Sequence, residues 1–161
     1  MTQDEALLLF DYKNGVLYWR NVSKFHSELK GTTAGTVSKR GYIHVQHKQK
    51  IYKGHQLVWL MFYGEIPNLL DHVNGNLTDN RIENLRLATT TQNQQNAKIR
   101  TDNSSRVKNV SWHKQHKKWG VQLSLNKKIK HFGYFEDLEL ADLVATMARE
   151  KYHGAFANHG H

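Results

Sequence analysis

The chain of 161 residues contains no cysteine and a single proline. Without thiols there is no disulfide, thiolate zinc site, iron–sulfur cluster or cysteine nucleophile. Any metal must be held by oxygen and imidazole ligands. Long apolar runs are missing as well. No stretch approaches the ~20 residues that cross a bilayer as a helix, so an integral membrane protein is not expected. The N-terminus begins acidic (Asp4, Glu5) and has a short apolar run without a basic lead or a small-residue cleavage site. That is not the pattern of a secretory signal. A disordered tail is excluded by composition, since 11% of residues are aromatic. The length suits one ordinary domain or two small ones, each then with a small core.

Acids are scarce in one region. Lysine and arginine total 23 against 14 acids, a formal charge of +9. Lys98, Arg100, Arg106, Lys108, Lys114, Lys117, Lys118, Lys127, Lys128 and Lys130 face only Asp102 within their stretch, while the rest of the chain is balanced. Trp112, Trp119, His113 and His116 are interleaved with these cations. Such a stripe suits a polyanion with stackable or groove-displayed groups, which is the chemistry of nucleic acid. An anionic membrane surface fits less well, because no amphipathic helix coincides with the stripe. A solvated face without a partner is the plainer alternative.

Three segments follow from the patterning. In residues 1–50, Glu5 to Phe10 suits a short helix, and Asn14-Gly15 leads into a strand at Val16 to Trp19. Tyr42 to Val45 and Ile51-Tyr52 flank a polar turn and form a hairpin. His55 to Tyr63 is apolar enough for a buried helix, stopped by Gly64 and Pro67. His55, at the mouth of that helix, reads as structural. Residues 68–97 are rich in asparagine. A strand runs into Asp71-His72, Asn80 and Glu83 have capping-box spacing, Leu85 to Ala88 alternates, and Thr89 to Lys98 suits a helix. Residues 101–106 read as a linker. Beyond it three strands are expected, Val107 to His113, Lys118 to Leu125 and Ile129 to Phe135. A helix follows from Glu136 to Tyr152, with Leu140, Val144, Met147 and Ala148 on its buried side. The fold class is α+β.

Asp71-His72 is the strongest chemical signal. Neighbours on a strand project in opposite directions, so the two side chains serve separate jobs: one ligates a divalent cation, the other takes a proton from water. Each asparagine downstream has an ordinary explanation as a turn, cap or surface residue.

The set is more specific than its parts. Asp71-His72-Val73-Asn74-Gly75-Asn76, Asp79-Asn80-Arg81-Ile82-Glu83-Asn84-Leu85-Arg86 and Thr90-Thr91-Gln92-Asn93 together resemble the HNH endonuclease family of the phage homing type. His55-Gln56-Leu57-Val58-Trp59 with Gly64 and Pro67 resembles the flanking sequence of that group, and the resemblance covers roughly residues 40–97. It implies a ββα-metal fold over residues 1–100, with an N-terminal hairpin extension. It also implies His72 as the general base, Asn84 as the residue orienting that imidazole, and Asp71 and Asn93 as ligands of one divalent metal, Mg²⁺ with Mn²⁺ as an alternative. Asn93 stands where other members carry histidine. Spacing alone leaves Asn96 open as a ligand, and the family comparison favours Asn93.

The C-terminal segment is similar to the AP2 DNA-binding domain. Asn109-Val110-Ser111-Trp112-His113, Lys118 to Leu123, His131-Phe132-Gly133-Tyr134-Phe135 and Tyr152 to Asn158 carry that likeness over about 107–158. It implies a three-stranded antiparallel sheet packed on one helix, with the free face in the major groove of double-stranded DNA. The DNA-facing set would be Ser111, His113, Lys118, Gln122, Ser124 and His131. Lys114, Lys117, Lys127, Lys128 and Lys130 would touch phosphate, which gives affinity without sequence information. The two likenesses together imply a site-specific, metal-dependent DNA endonuclease in the cytoplasm of a phage-infected or host bacterium, with no membrane or protein partner. The rival readings are a DNA-binding regulator with an inert HNH part and a repair or packaging nuclease.

Overall fold

The computed structural model describes residues 1–126 and 128–160. Lys127, expected above to touch phosphate, lies outside the described residues. The chain mixes helix and sheet in two compact units, Met1–Ala88 and Thr89–His161. No helix among the described residues is long and apolar enough to cross a membrane.

In the first unit, α1 (Gln3–Leu9) is started by Thr2 and Glu5, which cap each other's backbone amides. It ends where Phe10 turns extended and opens a hairpin, β1 (Phe10–Lys13) against β2 (Val16–Trp19). The sequence reading put Phe10 at the end of a helix and missed β1, because its Phe-Asp-Tyr-Lys alternation continues directly from the helical apolar run. The strands β3 (Thr36–Val37), β4 (Ile43–His47) and β5 (Lys50–Lys53) form an antiparallel sheet in that order. Lys48 and Gln49 both take positive φ in the two-residue turn joining β4 to β5, the geometry such hairpins favour. Next, α2 (Gly54–Tyr63) buries Leu57, Val58, Trp59, Leu60 and Met61 and closes on Gly64 at φ 79°. Phe10, Val45, Leu57 and Val58 are wholly buried in this core; each such side chain contributes about 1.5–3 kcal/mol by leaving water.

A final pair, β6 (Leu70–His72) and β7 (Leu85–Leu87), runs antiparallel with Asp71 opposite Arg86 and His72 opposite Leu85. The capping box expected at Asn80 and Glu83 does not form. A short 3-10 turn starts after Arg81 without a side-chain cap, and the Asn80 amide is used elsewhere. Gly15 sits against this region. Its φ is +84°, and a Cβ there would lie 2.6 Å from the Arg81 amide nitrogen. Gly15→Ala is expected to destabilise the unit by ~2 kcal/mol, read as a melting temperature lower by several degrees. An unchanged melt would show that this contact relaxes freely.

The second unit opens with α3 (Thr90–Asn96), capped by Thr89 and Gln92 in a reciprocal pair. The strands β8 (Val110–His113), β9 (Lys118–Leu125) and β10 (Lys128–Phe135) form an antiparallel sheet in the order β10-β9-β8. β8 starts three residues later than the alternation suggests, because Arg106 and Asn109 take positive φ and break the extended run. The helix α4 (Leu138–His153) packs on this sheet through Ala141, Ala145 and Ala148, together with Val110, Val121 and Leu123 from the strands. The expectation that Leu140 and Met147 face the sheet is corrected: they are 47% and 60% exposed. A stripe of alanines lets the helix approach the sheet closely, while Leu140, Leu143 and Met147 are rotated outward.

Candidate nuclease centre and sheet face

His72 ends β6, and its ring is only 2% exposed. The Nε2 atom lies 3.0 Å from Oδ1 of Asn80, itself 3% exposed. His55, the second residue of α2, stands edge-on to this ring with centroids 5.0 Å apart and planes at 88°. Tyr42 flanks both rings at 5.4 and 6.3 Å. The sequence reading treated Asn80 as a cap and His55 as structural, and it missed the contacts of both with His72. Only their eight- and seventeen-residue separations from His72 were visible, and no local pattern marks those.

The His55 ring is 4% exposed, and its Nδ1 has no hydrogen-bond partner among the described residues. Burial, then the nearby His72, Lys53 and His44, push its pKa down to about 3. The unfolded chain therefore binds a proton at His55 that the folded chain refuses. Stability is unaffected by this group above pH ~6.5 and falls as pH drops toward 3, by at most about 1.4 kcal/mol per pH unit. His55→Gln is expected to flatten this acid limb between pH 6.5 and 4.5 in denaturant titrations. An equally steep limb in the variant would place the acid sensitivity elsewhere.

Asp71 is buried at 5% exposure and paired across the strands with Arg86, whose Nε and terminal nitrogen lie 2.8 and 2.7 Å from its Oδ2. Asn84 is also buried. Its Oδ1 accepts from the Asn74 amide at 3.0 Å, and its Nδ2 donates to Asn74 Oδ1 at 3.0 Å and to the Asp79 carbonyl at 2.7 Å. The residue expected to orient His72 thus braces the 74–79 loop, while the hydrogen bond to the ring comes from Asn80. Asp79 completes the brace by pairing in two contacts with Arg81; these hydrogen bonds hold its carboxyl well below the usual carboxylate range.

Asn93 and Asn96 lie on α3 in the second unit. Asn93 is half-buried and its carboxamide has no partner among the described residues, whereas the buried Asn96 accepts from Asn158 through Oδ1 at 3.3 Å. No group of three or more His, Cys, Asp or Glu side chains suited to a metal occurs among the described residues. Carboxylate and carboxamide oxygens are the donor types that a hard ion of the Mg²⁺ type prefers.

On the sheet of the second unit, cross-strand partners place Ser111, His113, Lys118, Gln122, Ser124 and His131 on one face. All are exposed except the half-buried His113 and Lys118. Lys118 pairs with Glu136 at 3.2 Å. Tyr134 joins this face, with the His113 and His116 rings 4.9 and 4.5 Å from its own; the sequence reading did not single it out. Lys114, in the turn after β8, is exposed. Lys128 and Lys130 are not gathered with this set. They stand opposite Leu125 and Leu123, on the helix side, and the Lys130 ammonium donates to the Tyr152 hydroxyl at 2.7 Å.

The family described as HNH endonuclease matches residues 52–95, which include His55, Asp71, His72, Asn80, Asn84 and Asn93. Protein 3.8 of Escherichia phage T7 is 33% identical over 110 residues, covering 67% of this chain and 90% of that protein. No solved structure matches. The chain carries an HNH endonuclease domain at residues 52–95 and belongs to the family of protein 3.8 of Escherichia phage T7.

Proposed function

We propose that the protein is a metal-dependent, site-specific DNA endonuclease of the homing type. Its ββα-metal centre would be built from Asp71, His72, Asn84 and Asn93 and guided to its target by an AP2-like sheet. The observation that carries this reading is the buried, oriented imidazole of His72 inside the HNH segment. A neutral imidazole takes a proton from water near pH 7. That water attacks phosphorus, the bond to the 3′-oxygen breaks, and the products carry a 5′-phosphate and a 3′-hydroxyl. Asp71 and Asn93 would hold one divalent ion, Mg²⁺ or Mn²⁺, which supplies positive charge to the leaving oxygen. Asn84 keeps the 74–79 loop in shape beneath the base.

The DNA-facing set on the sheet would be Ser111, His113, Lys118, Gln122, Ser124 and His131, with Lys114 toward phosphate. A ribbon of this width fits the major groove, and its cations follow the charge stripe. The rival reading, a DNA-binding regulator with an inert HNH part, draws on the Asp71–Arg86 pair, in which a guanidinium already occupies a carboxylate oxygen. Incubating the protein with phage and bacterial genomic DNA in Mg²⁺, with and without EDTA, separates the two when the ends are mapped by sequencing. Discrete ends lost with EDTA are expected. Binding without cleavage in both Mg²⁺ and Mn²⁺ would transfer the reading to the regulator.

A further inference from the structure

We propose that His113, His116 and Tyr134 form a stacking platform for an unpaired nucleobase, so that the second unit takes DNA with a single-stranded or locally opened stretch. The inference rests on reading this sheet as a DNA-binding face, and it names the form of DNA that the face selects.

The strand β10 is built to bring Tyr134 to that face. Phe132 and Phe135 both pack against the core of the second unit, yet residues three apart on a regular strand point to opposite sides. The register slips between His131 and Gly133, where two steps of β10 match one of β9. Gly133 absorbs the slip at φ +125°, a conformation that residues with a Cβ rarely adopt. A bulge of this kind re-aims a side chain at the cost of local pairing. Here it turns Tyr134 away from the helix, opposite Gly120. Gly120 leaves the space that the phenol ring needs, since a Cβ there would lie 3.1 Å from Cε1 and 3.3 Å from Cδ1 of Tyr134. The ring therefore lies over the sheet, and at 41% exposure it keeps part of its surface in water.

Two imidazoles extend the patch. The His116 ring is 4.5 Å from Tyr134 and 4.6 Å from His113, and His113 is 4.9 Å from Tyr134, centroid to centroid. The His116 amide donates to His113 Nδ1 at 3.3 Å, which ties the turn to the strand and commits that nitrogen to backbone. His116 is exposed, as are Lys114 and Lys117 in the same turn. A contiguous aromatic patch with cations beside it matches a base together with its phosphates. A paired duplex shows a protein only base edges and backbone. An unpaired base offers its whole face, and every base has one. Gln122, Ser124 and His131, further along the sheet, are left for paired DNA next to the opening.

The test is fluorescence anisotropy of the full-length protein in EDTA, which keeps the DNA uncut. The probes are a labelled mixed-sequence single strand, its perfect duplex, and an abasic sugar-phosphate oligomer of the same length. Wild type is expected to hold the single strand about 10-fold more tightly than either of the others. Tyr134→Ala should lose about 10- to 100-fold on the single strand and less than about threefold on the duplex. Tyr134→Phe keeps the ring and should stay within about threefold of wild type. His116→Ala, at an exposed turn position, should lose about fivefold or more on the single strand. Circular dichroism and thermal unfolding report on the fold of each variant.

Equal affinity for the single strand and the duplex, or for the single strand and the abasic oligomer, would overturn the inference. So would a folded Tyr134→Ala protein with unchanged affinity, which would leave the rings only the support of Gly120 and the turn. If Tyr134→Ala does not fold, His116→Ala decides, and unchanged affinity there overturns the platform. None of these readouts needs cleavage. If the single strand is held through Tyr134 while no DNA is cut in Mg²⁺ or Mn²⁺, the nuclease reading fails and the platform stands. If discrete cleavage occurs and the single strand is not preferred, the platform fails and the nuclease reading stands.

Discussion

His72→Ala is expected to lower DNA cleavage by about 10²–10⁴-fold, the usual worth of a positioned general base, while DNA affinity changes by less than about threefold. The separation follows from where the residue sits. His72 is buried at the end of β6, away from the basic sheet of the second unit in sequence, and it carries no formal positive charge as a base. Phosphate contacts, which dominate affinity, are therefore left intact. The His55 ring lies 5.0 Å away, but burial, then His72, Lys53 and His44, push its pKa down to about 3. A base that weak accepts little proton in a transition state near neutral pH. Cleavage rates and filter or mobility-shift binding should be measured on the same preparation, with circular dichroism as a check on folding. A folded variant that cleaves within tenfold of wild type would remove His72 from the role of base. One that loses binding in parallel would move His72 from chemistry to substrate recognition.

The legible and illegible parts of this molecule divide by the range of the interactions involved. β9 was readable because Trp119, Val121 and Leu123 alternate with polar neighbours, and burial of Val121 and Leu123 follows that period. α2 was readable because its apolar run meets Gly64, which takes the left-handed cap. Asp71 and His72 were legible as adjacent residue types on a strand, an imidazole beside a carboxylate. The partner of the ring was not. Asn80 has capping-box spacing to Glu83, and an asparagine amide can serve a nearby backbone group or a side chain across the loop. The Asn80 amide lies close to Gly54, twenty-six residues away in sequence, and reaches the His72 ring rather than a nearby backbone group. The buried face of α4 was misread for a related reason. Periodicity weighs Leu140 and Met147 above alanine, whereas the close helix–sheet approach selects Ala141, Ala145 and Ala148.

Arg149→Met is expected to destabilise the second unit by about 2–4 kcal/mol, combining an orphaned buried acceptor with lost packing. Nothing in the sequence sets this arginine apart from the other cations, yet it is 0% exposed. Its guanidinium donates to the Lys108 carbonyl, to Thr146 Oγ1 at 2.8 Å and to His159 Nδ1 at 3.4 Å, and it lies 3.6 Å from Asp142. The Lys108 ammonium in turn donates to the carbonyls of Gln95 and Ala97 at the end of α3. Burial first, then the charge of Arg149, push the Lys108 pKa down to about 8. α4, the segment before β8 and the end of α3 are thus joined through consecutive hydrogen bonds to one buried cation. Methionine matches the length of the arginine stem but supplies no donor, so the Lys108 carbonyl is left unpaired away from water. Asp142 is half-exposed and loses little when its partner goes. The ion pair is therefore a minor part of the loss, and raising the salt concentration should leave the difference between variant and wild type almost unchanged. Arg149→Lys keeps the charge but loses the planar fork, and it should recover less than half of the stability. Thermal and denaturant unfolding followed by the fluorescence of Trp112 and Trp119, on a background in which Trp19 and Trp59 are replaced by phenylalanine, would isolate this unit. A change below about 0.5 kcal/mol, the range of ordinary surface substitutions, would show that Arg149 does not anchor it. Full recovery by lysine would mean that charge, not directed hydrogen bonding, holds the three segments together.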